Sequence, residues 1–308
     1  MLINITDRIK LIRPLRKSKF PYSNSILVED DMRTLIDAGA GGNAYADIAP
    51  TEVDLLLLSH NHFDHIHGAG LFNQANMMVA EEEAEAYKSQ AAYDKLGGFD
   101  LWDKLMDQPR DNTLALVASS YDDVKRPEFS DFRVKDCLAD GMVINTGHTE
   151  ITALHTPGHS PGHYAFFFEK ERILFSCDLD LAPRGPWYGG SYCDIGQLEK
   201  SVYRLMAIEP SLLVTSHRRI FDWQKDNVPS LFQQYIGIAL QREERVITYL
   251  KEPRTLDELA NQEFENLGYP GSTMEVFWTK VMFLNHLNKL QRNGQVTKTE
   301  DGRWVLLI

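Results

Sequence analysis

Residues 59–65 read SHNHFDH, which places three histidines and one aspartate between positions 60 and 65. Imidazole nitrogens and carboxylate oxygens are ligands that divalent cations prefer, so this density points to a metal centre. A regular strand or helix could not turn all four side chains onto one ion, but a tight loop can. In an extended segment His60 and His62 point to the same side. Asp64 and His65 come after the chain turns and are free to serve a second ion. The loop follows VDLLLLSH (53–60), a short continuous apolar run that reads as a strand buried on both faces. Loops at strand ends carry chemistry on a rigid base, so the cluster is well placed.

Working outward, SILVE (25–29) and RTLIDAG (33–39) are β-favouring runs around the turn pair Asp30-Asp31, the pattern of a hairpin. Residues 80–108 have helical composition, and their charges are expected to coat an exposed helix face. Residues 109–140 are mixed and polar and receive no assignment. EITALHT (150–156), HYAFFFE (163–169) and RILFSCD (172–178) read as successive strands, the first two joined by the turn cluster PGHSPG. APRGPWYGGSYCDIGQ (182–197) reads as a long loop. QLEKSVYRLMAIEP (197–210) reads as an amphipathic helix stopped by Pro210, and SLLVTSH (211–217) as another apolar strand. Further metal-ligand types sit at the strand ends and turns: His159, Asp178 and His217. Such a supply suits two ions sharing a bridging carboxylate.

SHNHFDH, TPGHSPG (156–162), FSCD (175–178) and SH (216–217), in this order, resemble the metallo-β-lactamase superfamily, and ILVEDDMRTLIDAGAG (26–41) resembles that family's opening hairpin. The resemblance covers residues 10–222. It implies an α+β fold, a four-layer αββα sandwich with metals in a groove at its edge. It also implies a ligand set: His60, His62 and His159 on one ion, Asp64, His65 and His217 on the other, and Asp178 between them. The family's hydrolases use a metal-bound hydroxide as nucleophile, and Asp64 is the candidate for proton transfer. Two divalent ions are expected, zinc first, with iron or manganese as the alternatives.

The sequence departs from the family in places. Cys177 stands where a Gly usually precedes the bridging Asp, and is expected to be a small core residue. Asp180 would share a face with Asp178 if the strand continued, so it is the alternative bridge. Arg218 and Arg219 follow His217 where a Gly often stands. Each is a candidate for an anionic substrate, or for a pairing with acids. His67, His148, His155 and His163 are expected to be structural, with His67 and His163 near enough to orient ligands. Asp37 is expected in a supporting role. Trp187, Tyr188 and Tyr192 form either a wall over a pocket or packing for the C-terminal module.

After residue 225 the pattern becomes three helices (230–251, 255–264 and 274–293) and a hairpin turning at Asp301-Gly302. This divides the chain into a catalytic domain at 1–225 and a small winged-helix-like C-terminal domain at 226–308. Thr255 and Glu258 form a candidate capping box. Val276, Phe283, Leu287 and Leu290 are expected to share one face of the third helix.

The chain has 308 residues and a net charge of −12, and 43% of its residues are hydrophobic. That balance argues against a general nucleic-acid or anionic-membrane binder. Three scattered cysteines form no disulfide framework, the first residues read as no secretory leader, and no apolar run approaches the ~18 residues of a membrane span. A cytoplasmic location is expected. The leading function is hydrolysis of a small or medium ester, thioester or lactone. The runner-up is an RNA-cleaving nuclease or phosphodiesterase, after family members that carry a similar tail; Lys280, Lys289 and Arg292 would be its phosphate contacts. A homodimer through the tail and a DNA-binding regulator are further alternatives. An oxygen-reducing di-iron protein would have Glu in place of His62 and an attached flavin domain, and neither is found.

Overall fold

A computed structural model describes residues 1–110, 113–124, 132–267 and 271–307. One sheet has seven strands: β1 (Leu2–Asn4), β2 (Ile9–Ile12), β3 (Ser25–Val28), β4 (Thr34–Ile36), β5 (Leu55–Leu57), β6 (Asn76–Ala80) and β7 (Val134–Leu138), side by side in chain order. The first four run antiparallel, and β4 to β7 run parallel. A second sheet holds β8 (Val143–Asn145), β9 (Glu150–His155), β10 (Tyr164–Phe168), β11 (Ile173–Phe175), β12 (Leu212–Val214) and β13 (Phe221–Asp222), with only β11 and β12 parallel. The expected hairpin is the β3–β4 pair.

Side-chain alternation explains the layering. In the run before the metal loop, Leu55 and Leu57 face the second sheet, together with Ile26, Val28, Phe166, Phe168 and Phe175. Leu56 and Leu58 face the other way, onto Tyr45, Ile66, Phe72 and Tyr87. The outer face of the second sheet (Leu154, Ala165, Leu174, Leu213) is covered by α5 (Ile195–Met206) and α6 (Val228–Tyr249). The result is the expected mixed α+β sandwich, with helical layers outside two sheets.

The short helices are α1 (Phe63–Ile66), α2 (Gln90–Leu96), α3 (Trp102–Leu105) and α4 (Thr113–Ser119). The helical composition of residues 80–108 folds as 3-10 stretches at Glu81–Tyr87 and Phe99–Leu101 with α2 and α3, after β6 ends at Ala80. The charges there do not all face solvent, since Glu83 is 1% exposed. Composition showed helix formers but could not show where the chain must bend to cover β6.

The last elements are α7 (Leu256–Leu267), α8 (Thr273–Arg292) and the hairpin β14 (Val296–Lys298) with β15 (Trp304–Leu306). The capping box closes as expected, Thr255 N donating to Glu258 and Glu258 N to Thr255 Oγ1. Phe283, Leu287 and Leu290 pack with Val246, Leu259 and Trp304. Val276 does not join them. The other apolar face of α8 carries Met274, Phe277 and Val281 onto Trp102. The helix has two buried faces because it lies between α6 and the 99–106 segment. No helix among the described residues is long and apolar enough to cross a membrane.

Candidate metal centre

Parallel strands place their carboxyl ends side by side, and this assembles the site. Asp37 follows β4, the 59–65 loop follows β5, Asp178 follows β11, and His217 follows β12; His159 lies in the β9–β10 turn. Backbone bonds stitch the two sheets at this edge, from Tyr164 N to Ser59 O (2.9 Å) and from Asn24 N to Ser216 O (2.7 Å). Gly39 permits the tight approach, because a Cβ there would stand 1.7 Å from the Asp64 carbonyl oxygen.

All seven expected side chains meet, in two groups. One is His60, His62, His159 and Asp178; the other is Asp64, His65 and His217; within each group the ligand-type atoms lie within 4.8 Å of one another. His159 Nε2 is 3.3 Å from His60 Nε2, 3.0 Å from His62 Nδ1 and 3.2 Å from Asp178 Oδ2. Asp178 turns its other oxygen to the second group, with Oδ1 2.9 Å from His65 Nε2 and 3.1 Å from His217 Nε2. His217 Nε2 is also 3.4 Å from Asp64 Oδ2.

These spacings fit cations. Ligands about 2.0–2.1 Å from a tetrahedral ion lie about 3.3 Å from each other. His65 Nε2 and Asp178 Oδ1 are buried and close, yet neither has a hydrogen-bond partner. Two lone pairs aimed past each other at a common point have that geometry, and leaving them unsatisfied would be destabilising.

Hydrogen bonds fix the histidine tautomers. Asp37 Oδ2 accepts from His65 Nδ1 (2.8 Å) and from Ser59 Oγ (2.9 Å), and Oδ1 accepts from Ser59 N (2.8 Å). With its proton committed to Asp37, Ser59 Oγ accepts from His60 Nδ1 at 2.9 Å. His159 Nδ1 donates to the Trp187 carbonyl at 2.9 Å. Each ring thereby keeps Nε2 free for the centre. Asp37 does this from a left-handed backbone, φ 59°.

The charges of the two groups are set differently. Burial, reinforced by neighbouring histidines, holds His60 and His62 well below the ordinary imidazole range. Burial also opposes charge on His65, but Asp178 and Asp37 outweigh it and raise its pKa. His217 is raised to about 9, because Asp178 and Asp64 overcome its burial. Burial alone would raise Asp178, but His65 and His217 hold it well below the carboxylate range.

Asp180 does not join the centre; its Oδ1 accepts from Ala182 N. The strand ends at Phe175 and the chain turns at once, with positive φ at Cys177 and Leu179 N donating to Ser176 O at 3.1 Å, so the alternation that would put the two aspartates on one face is lost. Cys177 takes the left-handed conformation (φ 50°) that favours Gly, and is wholly buried between the sheets. Neither arginine is free: Arg218 donates to Leu181 O, and Arg219 makes two bonds to Asp226. His163 is more than a core residue: its Nε2 accepts from Asp178 N at 3.2 Å while its Nδ1 bonds Thr156 Oγ1. His67 donates to Gly39 O, His155 bonds Pro161 O, and His148 pairs with Asp30. Trp187 lies edge-on to His62, ring centroids 5.0 Å apart, and is backed by Trp278 of α8 at 6.0 Å. Tyr188 is buried and bonded to His286 of α8. In this loop Trp187 lies against the His62 ring while Tyr188 packs on α8.

The model of the metallo-beta-lactamase superfamily matches residues 19–217, and the chain belongs to that family. It is similar to "Probable metallo-hydrolase YqjP" of Bacillus subtilis, 25% identical over 306 residues and 91% of each chain. It is also similar to a hydroxyacylglutathione hydrolase of Francisella philomiragia, 35% identical over 79 residues, 25% of this chain and 31% of that one. The chain spans 36% of another curated lactamase-like relative. Among solved structures, a metallo-beta-lactamase family protein of Thermus thermophilus matches with a TM-score of 0.76 at 21% identity, over 99% of this chain and 100% of that one. With this family and its His/Asp clusters, the chain is a metal-dependent hydrolase.

Proposed function

We propose that this protein is a binuclear hydrolase of a small or medium ester, with thioesters first and lactones next. The observation that carries it is the divided Asp178 carboxylate, with Oδ2 at 3.2 Å from His159 and Oδ1 at 2.9 Å from His65. His60, His62 and His159 would hold one divalent ion, Asp64, His65 and His217 the other, and Asp178 would bridge; nitrogen-rich donors favour zinc. When bound, such a pair supplies Lewis acidity and a water whose pKa falls to roughly 7. The protein's part is to fix these donors, to exclude water along Trp187, and to hold or move a proton at Asp64. Loss of hydrolysis in Asp64→Ala with both ions retained would support the proton role; full activity would refute it.

Two further observations support the substrate class. One relative is named for a hydroxyacylglutathione, an acyl-thiol ester. The cations an RNA reading requires on α8 are already paired: Lys280 with Asp257, Lys289 with Glu243, and Arg292 with Asp194. In this reading residues 1–225 are the catalytic domain of a cytoplasmic enzyme, and 226–308 form a winged-helix-like domain that backs the Trp187 loop. Elemental analysis followed by a panel of thioesters, lactones, phosphodiesters and single-stranded RNA tests it. Two zinc ions per chain with thioester or lactone turnover are expected. Turnover of RNA alone would overturn the substrate class.

A further inference from the structure

Glu83 stands among acidic neighbours in AEEEAE (80–85), yet it turns inward and is 1% exposed. Its Oε2 accepts from the backbone N of Asn61 at 2.7 Å, and its Oε1 from the backbone N of Gly162 at 3.1 Å. Asn61 lies between His60 and His62, and Gly162 lies in the turn that carries His159. One carboxylate therefore spans the two loops that supply all three nitrogens of the first group. Gly162 is shaped for it: a Cβ there would fall 2.7 Å from Glu83 Cγ and 2.4 Å from the Ala80 Cβ.

Among the described residues no ion pair neutralises Glu83, and burial raises its pKa. A buried carboxylate without a cation is destabilising unless its oxygens are well bonded. Two convergent N–H donors need two acceptors, which a carboxylate has and an amide lacks. In the second group His65 is held by other means, through Asp37, and the shared Asp178 is held by the His163 ring.

We propose that Glu83 is a positioning residue that clamps the His60/His62 loop to the His159 turn and so sets the nitrogen spacing of the first ion site alone. This rests on the binuclear reading above. The clamp fixes the 3.0 and 3.3 Å separations between His159 and its two partners across the loops. Glu83→Ala removes both bonds. Glu83→Gln keeps the volume but turns an NH2 against one of the N–H donors, so it leaves one bond.

The test is a Co²⁺ titration of metal-stripped protein followed by d–d absorbance, with circular dichroism to confirm folding. Wild type is expected to bind two ions per chain. Glu83→Gln is expected to weaken one phase about 10-fold and Glu83→Ala more, within the range for partners beyond the ligands, and to leave the other phase in place. Double-mutant cycles assign the phase. Glu83→Gln should weaken the remaining ion in a His217→Ala background and add nothing in a His159→Ala background. Should Glu83→Ala fail to fold, the isosteric Glu83→Gln still decides. Equal weakening of both phases, or of neither, overturns the clamp while leaving the binuclear reading standing. A wild type that binds no ion overturns that reading and the clamp with it.

Discussion

Two buried histidines use the same orienting device with opposite results. His65 donates from Nδ1 to Asp37 at 2.8 Å, and His286 in α8 pairs its Nδ1 with Glu243 at 3.1 Å. Both rings are 0% exposed. In His286 the second nitrogen is closed, because Nε2 accepts from Tyr188 OH at 2.8 Å. In His65 the second nitrogen has no hydrogen-bond partner and stands 2.9 Å from Asp178 Oδ1. A carboxylate behind a histidine therefore does not mark a metal ligand. What sets His65 apart is an open nitrogen that also faces other donors, 2.9 Å from Asp178 Oδ1, a geometry that a cation would satisfy.

The comparison breaks most readily at His65. His65→Ala is expected to remove one of the two ions and to reduce hydrolysis by more than about 100-fold, because even partners behind the ligands are worth 10- to 100-fold. Metal analysis and turnover on the best substrate of the panel read this directly; two ions with undiminished turnover would mean the open nitrogen is no ligand. Asp37→Asn should have the next largest effect. The amide NH2 would face His65 Nδ1 and drive its proton to Nε2, the wrong tautomer for a ligand. A loss of about 10- to 100-fold in metal affinity is expected, with little change in apo-protein melting. Unchanged affinity would show that tautomer control is not how Asp37 acts.

The tail side should respond in stability instead. His286→Ala leaves Tyr188 OH and Glu243 short of a partner and opens a small cavity, and is expected to destabilise by about 2–4 kcal/mol. Chemical denaturation measures it. Both ions should remain, since His286 touches no member of the centre. Loss of an ion in this variant would show that α8 reaches the site through Tyr188 and Trp187.

Much of this was legible in the sequence for a physical reason. Each side chain of the two clusters follows an apolar run or stands in a Gly/Pro turn, so strand ends and donors could be read together, as in LLLLSHNH and SLLVTSH. The choice of Asp178 over Asp180 was not legible from alternation, because the turn through Cys177, closed from Leu179 N to Ser176 O, ends the strand face that would have joined them. Glu83 was hidden among identical neighbours; which of Glu81, Glu82 and Glu83 turns inward depends on the loops that β6 lies beside. That His163 could orient a ligand was legible from its place beside the ligand turn; that it does so by accepting from the backbone N of Asp178 was not. The division of labour in the 182–194 loop needed α8, a partner far along the chain.

The smallest effect follows from the opposite charge tendencies of the two rings. Burial holds the His286 pKa below its ordinary 6.5, because Glu243 only partly offsets the lost hydration, whereas Asp178 and Asp37 raise that of His65. A histidine with a lowered native pKa binds fewer protons folded than unfolded. Its contribution to stability is thus present above the unfolded value and lost as pH falls through and below 6.5. His286→Gln removes that titration but keeps an acceptor within reach of Tyr188. The stability advantage of wild type over His286→Gln should therefore shrink on acidification from about pH 7.5 to about 5.5, as thermal melts across that range would record. Every other titrating group is common to both proteins, so their contributions cancel in the difference. An advantage that grows in acid would mean His286 carries its proton in the fold. The two carboxylate–histidine pairs would then differ in their open nitrogen but not in their charge.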